Sequence, residues 1–171
     1  MRLPEARIIA VILTLTTAAI CSMPTAAETQ EKAATTSRPA DGGDRPYRIG
    51  ADGKVDWAVF NGFRRYNSIC NTCHGPDGAG SSFAPALVDS LKRLSYDQFL
   101  EIVVNGKEEV NTAAEKKMPM FGTNPNVMCY IDDIYAYLKA RSDGALGRGR
   151  PPKHEDKPAE AAEAEKSCMG G

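Results

Sequence analysis

The sequence carries no surplus of positive charge: 21 Lys and Arg stand against 22 Asp and Glu, a formal net of −1. Neutralising nucleic-acid phosphates needs a local excess of basic residues, so that class of partner is excluded. No internal repeat is visible, and no segment alternates apolar and polar residues in a sustained period of two. Long β-strands are therefore not expected, and the domain should be all-α. Long apolar runs are missing too. The nearest, residues 8–20, is broken by Thr14, Thr16 and Thr17 and falls short of the roughly 20 residues that a membrane-crossing helix needs.

What that short apolar run does have is flanks. Arg2 and Arg7 precede it and Thr25-Ala26-Ala27 follows it. A basic head, an apolar middle and a small-residue exit describe a secretory signal peptide over residues 1–27, with no membrane span after its cleavage. Cys21 follows the bulky Ile20, where a lipoprotein site wants a small residue, and leaves with the leader. Export is to an oxidising compartment, expected to be the periplasm, so disulfides are permitted among Cys70, Cys73, Cys129 and Cys168.

The remainder divides by composition. Residues 28–49 hold mainly Ala, Thr, Gly and charge, with little to bury, and read as a flexible lead. Residues 144–171 carry Gly147, Gly149, Pro151, Pro152 and Pro158 before an Ala/Glu/Lys run, and read as a flexible polar tail with a short helix over residues 159–166. Between them, residues 50–143 form one compact unit. Its first helix starts at the N-cap candidate Asp56 and carries an apolar stripe of Trp57, Phe60, Phe63, Tyr66 and Ile69. Residues 75–86, rich in Gly, Ser and Pro, form a loop. A helix opens at Ser95 with Gln98 three positions on, a capping box, and ends at Gly106. The last helix is capped by Asn124 with Pro125 in its first turn, and buries Val127, Ile131, Ile134 and Leu138 before Gly144 stops it. The charge runs Lys107-Glu108-Glu109 and Glu115-Lys116-Lys117 read as solvated faces.

The chemistry concentrates in Cys70-Asn71-Thr72-Cys73-His74, a C-x-x-C-H motif. Two thiols three positions apart on a helical turn reach the two vinyl groups of one haem, and the following histidine lies where it can bind the iron. A thioredoxin-type pair would need a βαβ pattern, which is missing. A zinc site would need two further close-set ligands, whereas Cys129, Cys168 and His154 stand isolated. One covalent haem c is the expectation.

Around this motif, residues 50–142 resemble the class I, or mitochondrial-type, cytochromes c. Gly62, Tyr66 and Cys70 resemble that family's first helix, and Tyr137-Leu138 its closing helix, which in the family crosses the first at a glycine–aromatic contact. The run from His74 to Gly80 resembles its loop after the motif. Ala84-Pro85-Ala86-Leu87 resembles the segment whose proline carbonyl accepts a hydrogen bond from the axial histidine, a contact that would orient the His74 ring. Simple turn rigidity is the plainer role for Pro85. The family's second axial ligand is a methionine before a proline, ahead of the last helix. Met118-Pro119 fits it; Met120 is the rival, since two residues on in an extended loop it points the same way. Met128 reads as core.

With Cys70 and Cys73 taken by haem, Cys129 and Cys168 remain for each other, or as two free thiols. The region from Met118 to Arg141, followed by residues 144–151, is similar to the methanol-metabolism-related c-type cytochromes, relatives of cytochrome cL. A cysteine opening the last helix and another in the extension beyond it are the shared traits. The resemblance implies an electron carrier, not an enzyme: a quinoprotein (pyrroloquinoline-quinone) methanol dehydrogenase as donor, and another cytochrome c or a terminal oxidase as acceptor. The other reading is a general periplasmic carrier between a quinol-oxidising complex and an oxidase.

Overall fold

The computed structural model describes residues 45–110 and 115–170. The leader and most of the lead lie outside them. The elements in chain order are α1 (Trp57–Ile69), α2 (Asn71–His74), a 3-10 turn (Pro76–Gly78), α3 (Leu87–Ser90), α4 (Tyr96–Asn105), β1 (Lys107–Val110), β2 (Glu115–Met118), α5 (Pro125–Met128), α6 (Ile131–Ser142) and α7 (Ala159–Met169).

Helix α1 begins where Asp56 accepts from the Val59 N–H at 2.9 Å, the capping that its sequence position implies. The same carboxylate accepts from the Arg48 N–H at 3.0 Å, so the cap also ties down the incoming chain. Helix α4 opens on the full capping box between Ser95 and Gln98. The frame of the domain is the crossing of α1 over α6. At Gly62 a side-chain Cβ would lie 1.9 Å from the Asp133 carbonyl oxygen, so only glycine permits this approach. The Phe63 ring meets Tyr137 edge-on at 5.6 Å, and Tyr66 lies 5.5 Å from the same ring. Tyr66, Ala136, Tyr137 and Ala140 are completely buried there. Asn61 Nδ2 donates to Asp133 Oδ2 at 2.8 Å across the crossing.

The fold is the expected mostly helical one, with four local departures. The domain is mostly helical, yet β1 and β2 form an antiparallel hairpin. Glu108 stands opposite Lys117 and Glu109 opposite Lys116, and Lys117 ion-pairs with Glu108. Cross-strand charge complementarity replaces the apolar alternation that would have announced the strands.

The closing helix is interrupted. Asn124 caps α5, but the chain leaves helical geometry at Tyr130 (φ −132°, ψ 15°), and α6 starts afresh at Ile131. Cys129 sits at this break and is joined to Cys168.

The C-terminal segment is not a loose tail. The Val55 N–H donates to the Lys153 carbonyl at 3.1 Å, and the Glu155 N–H to the Val55 carbonyl at 2.9 Å. The His154 ring stacks on Phe60 with centroids 3.5 Å apart, and Leu146 is buried in the core. Helix α7 has no buried residue, but it is held by the Cys129–Cys168 bond and by Glu165, which pairs with Arg65 and Lys157. The end of the lead also packs: Tyr47 is buried and its hydroxyl donates to Asp143 Oδ2 at 3.0 Å.

Candidate haem site

The motif is placed by the end of α1. The Cys70 carbonyl accepts from the N–H groups of Cys73 and His74 at 3.2 and 2.9 Å, so the chain turns once more through α2. Gly75 (φ +69°) ends that turn, and a Cβ there would lie 2.3 Å from the Gly80 carbonyl oxygen. The loop then folds back until the Gly80 N–H donates to the His74 carbonyl at 2.8 Å. Tyr66, from the buried face of α1, donates its hydroxyl to the Gly75 carbonyl at 2.5 Å and accepts from the Gly78 N–H at 3.0 Å. Burial pushes that hydroxyl up to about 12.

His74 is buried, with Nδ1 2.9 Å from the Pro85 carbonyl oxygen. A carbonyl only accepts, so Nδ1 carries the proton and Nε2 keeps its lone pair. His74 and Cys70 line one side of an apolar cleft. Its other walls come from α3 to α6 and include Leu91, Phe99, Ile102, Phe121, Ile134 and Leu138. Apart from the imidazole, every lining side chain is apolar or sulfur-bearing. Burial raises the Cys70 thiol to about 11, so in the free polypeptide it is neutral; Cys73 is exposed at the rim and is not among the lining residues.

Met118 lines the same cleft, whereas Met120 is 70% exposed and Met128 packs against the core. The difference comes from how the loop is fastened. Met118 ends β2, Gly106 (φ +74°) passes so close that a Cβ would lie 2.6 Å from the Met118 carbonyl, and the Phe121 N–H donates to the Val103 carbonyl at 2.9 Å. Helix α4 thus holds the methionine segment, a positioning role that the sequence reading missed; Gly106 was its visible signal.

The donor set fits a covalent haem. One thiol, one imidazole and one thioether line the apolar cleft, with the second thiol of the motif exposed beside it, and among the described residues no group of three or more His, Cys, Asp and Glu side chains is placed to hold a metal ion. A single C-x-x-C-H following a glycine-bearing helix, crossed by a closing helix and faced by a methionine, defines a class I c-type cytochrome, and the chain belongs to that family. The family is one of electron carriers.

The crystal structure of the c-type cytochrome XoxG from Methylobacterium extorquens AM1 is similar at 45% identity and a TM-score of 0.63, covering 75% of this chain and 84% of that one. Cytochrome c-553I of Paracoccus denitrificans is 60% identical over 125 residues, 73% of this chain and 55% of that protein, so the chain spans about half of that relative. Cytochrome c-555 of Methylococcus capsulatus (Bath) is 45% identical over 100 residues, 58% of this chain and 75% of that protein. Residues 58–138 also match the family described as cytochrome C oxidase, cbb3-type, subunit III.

Proposed function

We propose that the protein is a periplasmic monohaem carrier that accepts single electrons from a quinoprotein methanol dehydrogenase and passes them towards a terminal oxidase. The observation that carries the reading is that His74 and Met118 line one apolar cleft, one imidazole and one thioether, and Met120 does not. The covalent haem of the family supplies a one-electron iron couple when bound. Cys70 and Cys73 would provide its thioether links, and His74 Nε2 and Met118 Sδ would hold its iron. Two side-chain ligands would leave the iron no open position for a substrate, which favours electron transfer over activation of a ligand. Met118 favours the reduced iron and raises the potential. Pro85 holds the His74 ring through Nδ1 and increases its basicity, an opposing adjustment.

The donor assignment rests on the similarity to methanol-metabolism-related cytochromes, whose two extra cysteines correspond to Cys129 and Cys168. In this chain they are joined. Ser81, Ser82 and Phe83 are exposed beside the motif, with Phe83 73% exposed, and with the loop after Met118 they form the contact face. A slightly acidic carrier meets a basic patch, so association slows with salt, and the complex is transient. The family match to an oxidase subunit favours a second reading, a general carrier that feeds an oxidase from a quinol-oxidising complex.

Stopped-flow mixing of the oxidised protein with substrate-reduced quinoprotein methanol dehydrogenase separates the two. Rapid, saturable, salt-sensitive haem reduction supports the first. Slow reduction that does not saturate, matched by a control dehydrogenase, leaves the general carrier.

A further inference from the structure

Asp77 has the one positive φ among the described non-glycine residues, +60°. It lies three positions after His74, in the loop that carries the histidine. Asp adopts this conformation more readily than most side chains, and here its surroundings fix it. The surroundings here come from two elements remote in sequence. From α6, the Tyr137 hydroxyl donates to Asp77 Oδ1 at 3.5 Å and Arg141 Nε to the Asp77 carbonyl at 3.4 Å. From the C-terminal extension, the Gly149 N–H donates to Oδ1 at 2.9 Å and Arg148 Nε to Oδ2 at 3.2 Å. The carboxylate is buried, while the Arg148 side chain is 71% exposed, so the extension folds over the loop from outside.

We propose that Asp77 is a positioning residue for His74, and that residues 148–149 of the extension are the clamp that holds it. The clamp fixes the middle of the loop that starts at His74 and returns at Gly80, whose N–H bonds the His74 carbonyl. Loosening it frees the imidazole from the Pro85 carbonyl, weakens its donation to iron and raises the potential. The inference rests on His74 as axial ligand. The low-spin spectrum of the parent tests that ligation separately, so failure of the clamp leaves the ligation standing.

The test uses the full-length holoprotein with Arg148→Ala, Asp77→Asn and the double variant. Asn tolerates positive φ and keeps an acceptor for the Gly149 N–H, so Asp77→Asn removes the charge-assisted partner without straining the backbone. Arg148 is exposed, so Arg148→Ala folds. Hydrogen exchange of the Gly78 and Gly80 amides and of the His74 ring N–H should accelerate by about tenfold in each single variant, with α6 amides unchanged. The double variant should add little, because both changes remove one interaction. At high salt, where the exposed Arg148 charge is screened, both single variants should raise the potential. A purely electrostatic role predicts opposite signs, Asp77→Asn raising the potential and Arg148→Ala lowering it. Opposite signs, uniform acceleration across the domain, or no change in loop exchange would each overturn the proposal. Arg148→Lys, which keeps a donor, should restore most of the loop protection.

Discussion

Replacing Cys168 with Ser tests whether the extension belongs to the folded unit or merely trails from it. The Cys129–Cys168 bond spans 39 positions. In the chain-entropy account, closing a loop of that length removes about 4 kcal/mol of freedom from the unfolded chain at 25 °C. The folded state returns part of it. Helix α7 buries none of its residues, so once released it frays and regains entropy in the native state as well. The backbone pairing of Val55 with Lys153 and Glu155 limits that fraying to the part beyond it. The expected net loss is therefore about 2–4 kcal/mol. Urea unfolding of the holoprotein, followed by fluorescence of the single Trp57, which a nearby haem quenches in the folded state, measures it. Cys129→Ser should give the same loss, and the double variant no more than either alone. A loss below about 0.5 kcal/mol would refute the reasoning, since it would mean that the bond constrains neither state.

Gly62→Ala should cost at least about 3 kcal/mol, the upper end for overpacking, because the added carbon would sit 1.9 Å from the Asp133 carbonyl oxygen and α1 and α6 would have to part; an unchanged urea midpoint would contradict that crossing. The Tyr66 hydroxyl, raised by burial from 10.0 to about 12, is held in its protonated form by folding. A raised folded value means stability that is whole below pH 10 and is lost as the pH climbs towards about 12, about 3 kcal/mol over that window. Urea unfolding across the window should show Tyr66→Phe losing less with pH than the parent; parallel pH curves would exclude this assignment.

Much of the site was legible because it rests on local rules. C-x-x-C-H is a spacing argument, the Ser95–Gln98 box and the Asp56 cap are hydrogen-bond arguments within one turn, and Met118 was marked by its proline. That Met118 lines the cleft and Met120 does not needed tertiary information, because the two are separated by how α4 and Gly106 grip the loop between them. The hairpin was hidden because its strands pair through Glu108 and Lys117, and hydropathy does not register charge complementarity between strands. The extension was misread for a related reason. It contributes little to the core beyond Leu146 and the buried Pro151, and is fastened instead by two backbone bonds, one stacked imidazole, ion pairs and one covalent link. None of these shows as an apolar stripe. The break at Tyr130 was missed because the apolar spacing runs straight through it, from Val127 in α5 to Ile131 in α6.

The measurement that bears most directly on the site is the mass and optical spectrum of the oxidised protein, with the parent, Met118→Ala and Met120→Ala side by side. One haem should stay attached to each polypeptide through acid–acetone extraction. The weak long-wavelength sulfur-to-iron band should be present in the parent and in Met120→Ala and absent from Met118→Ala. Haem that extracts freely, or a band that survives in Met118→Ala, would contradict a single covalent haem held between His74 and Met118.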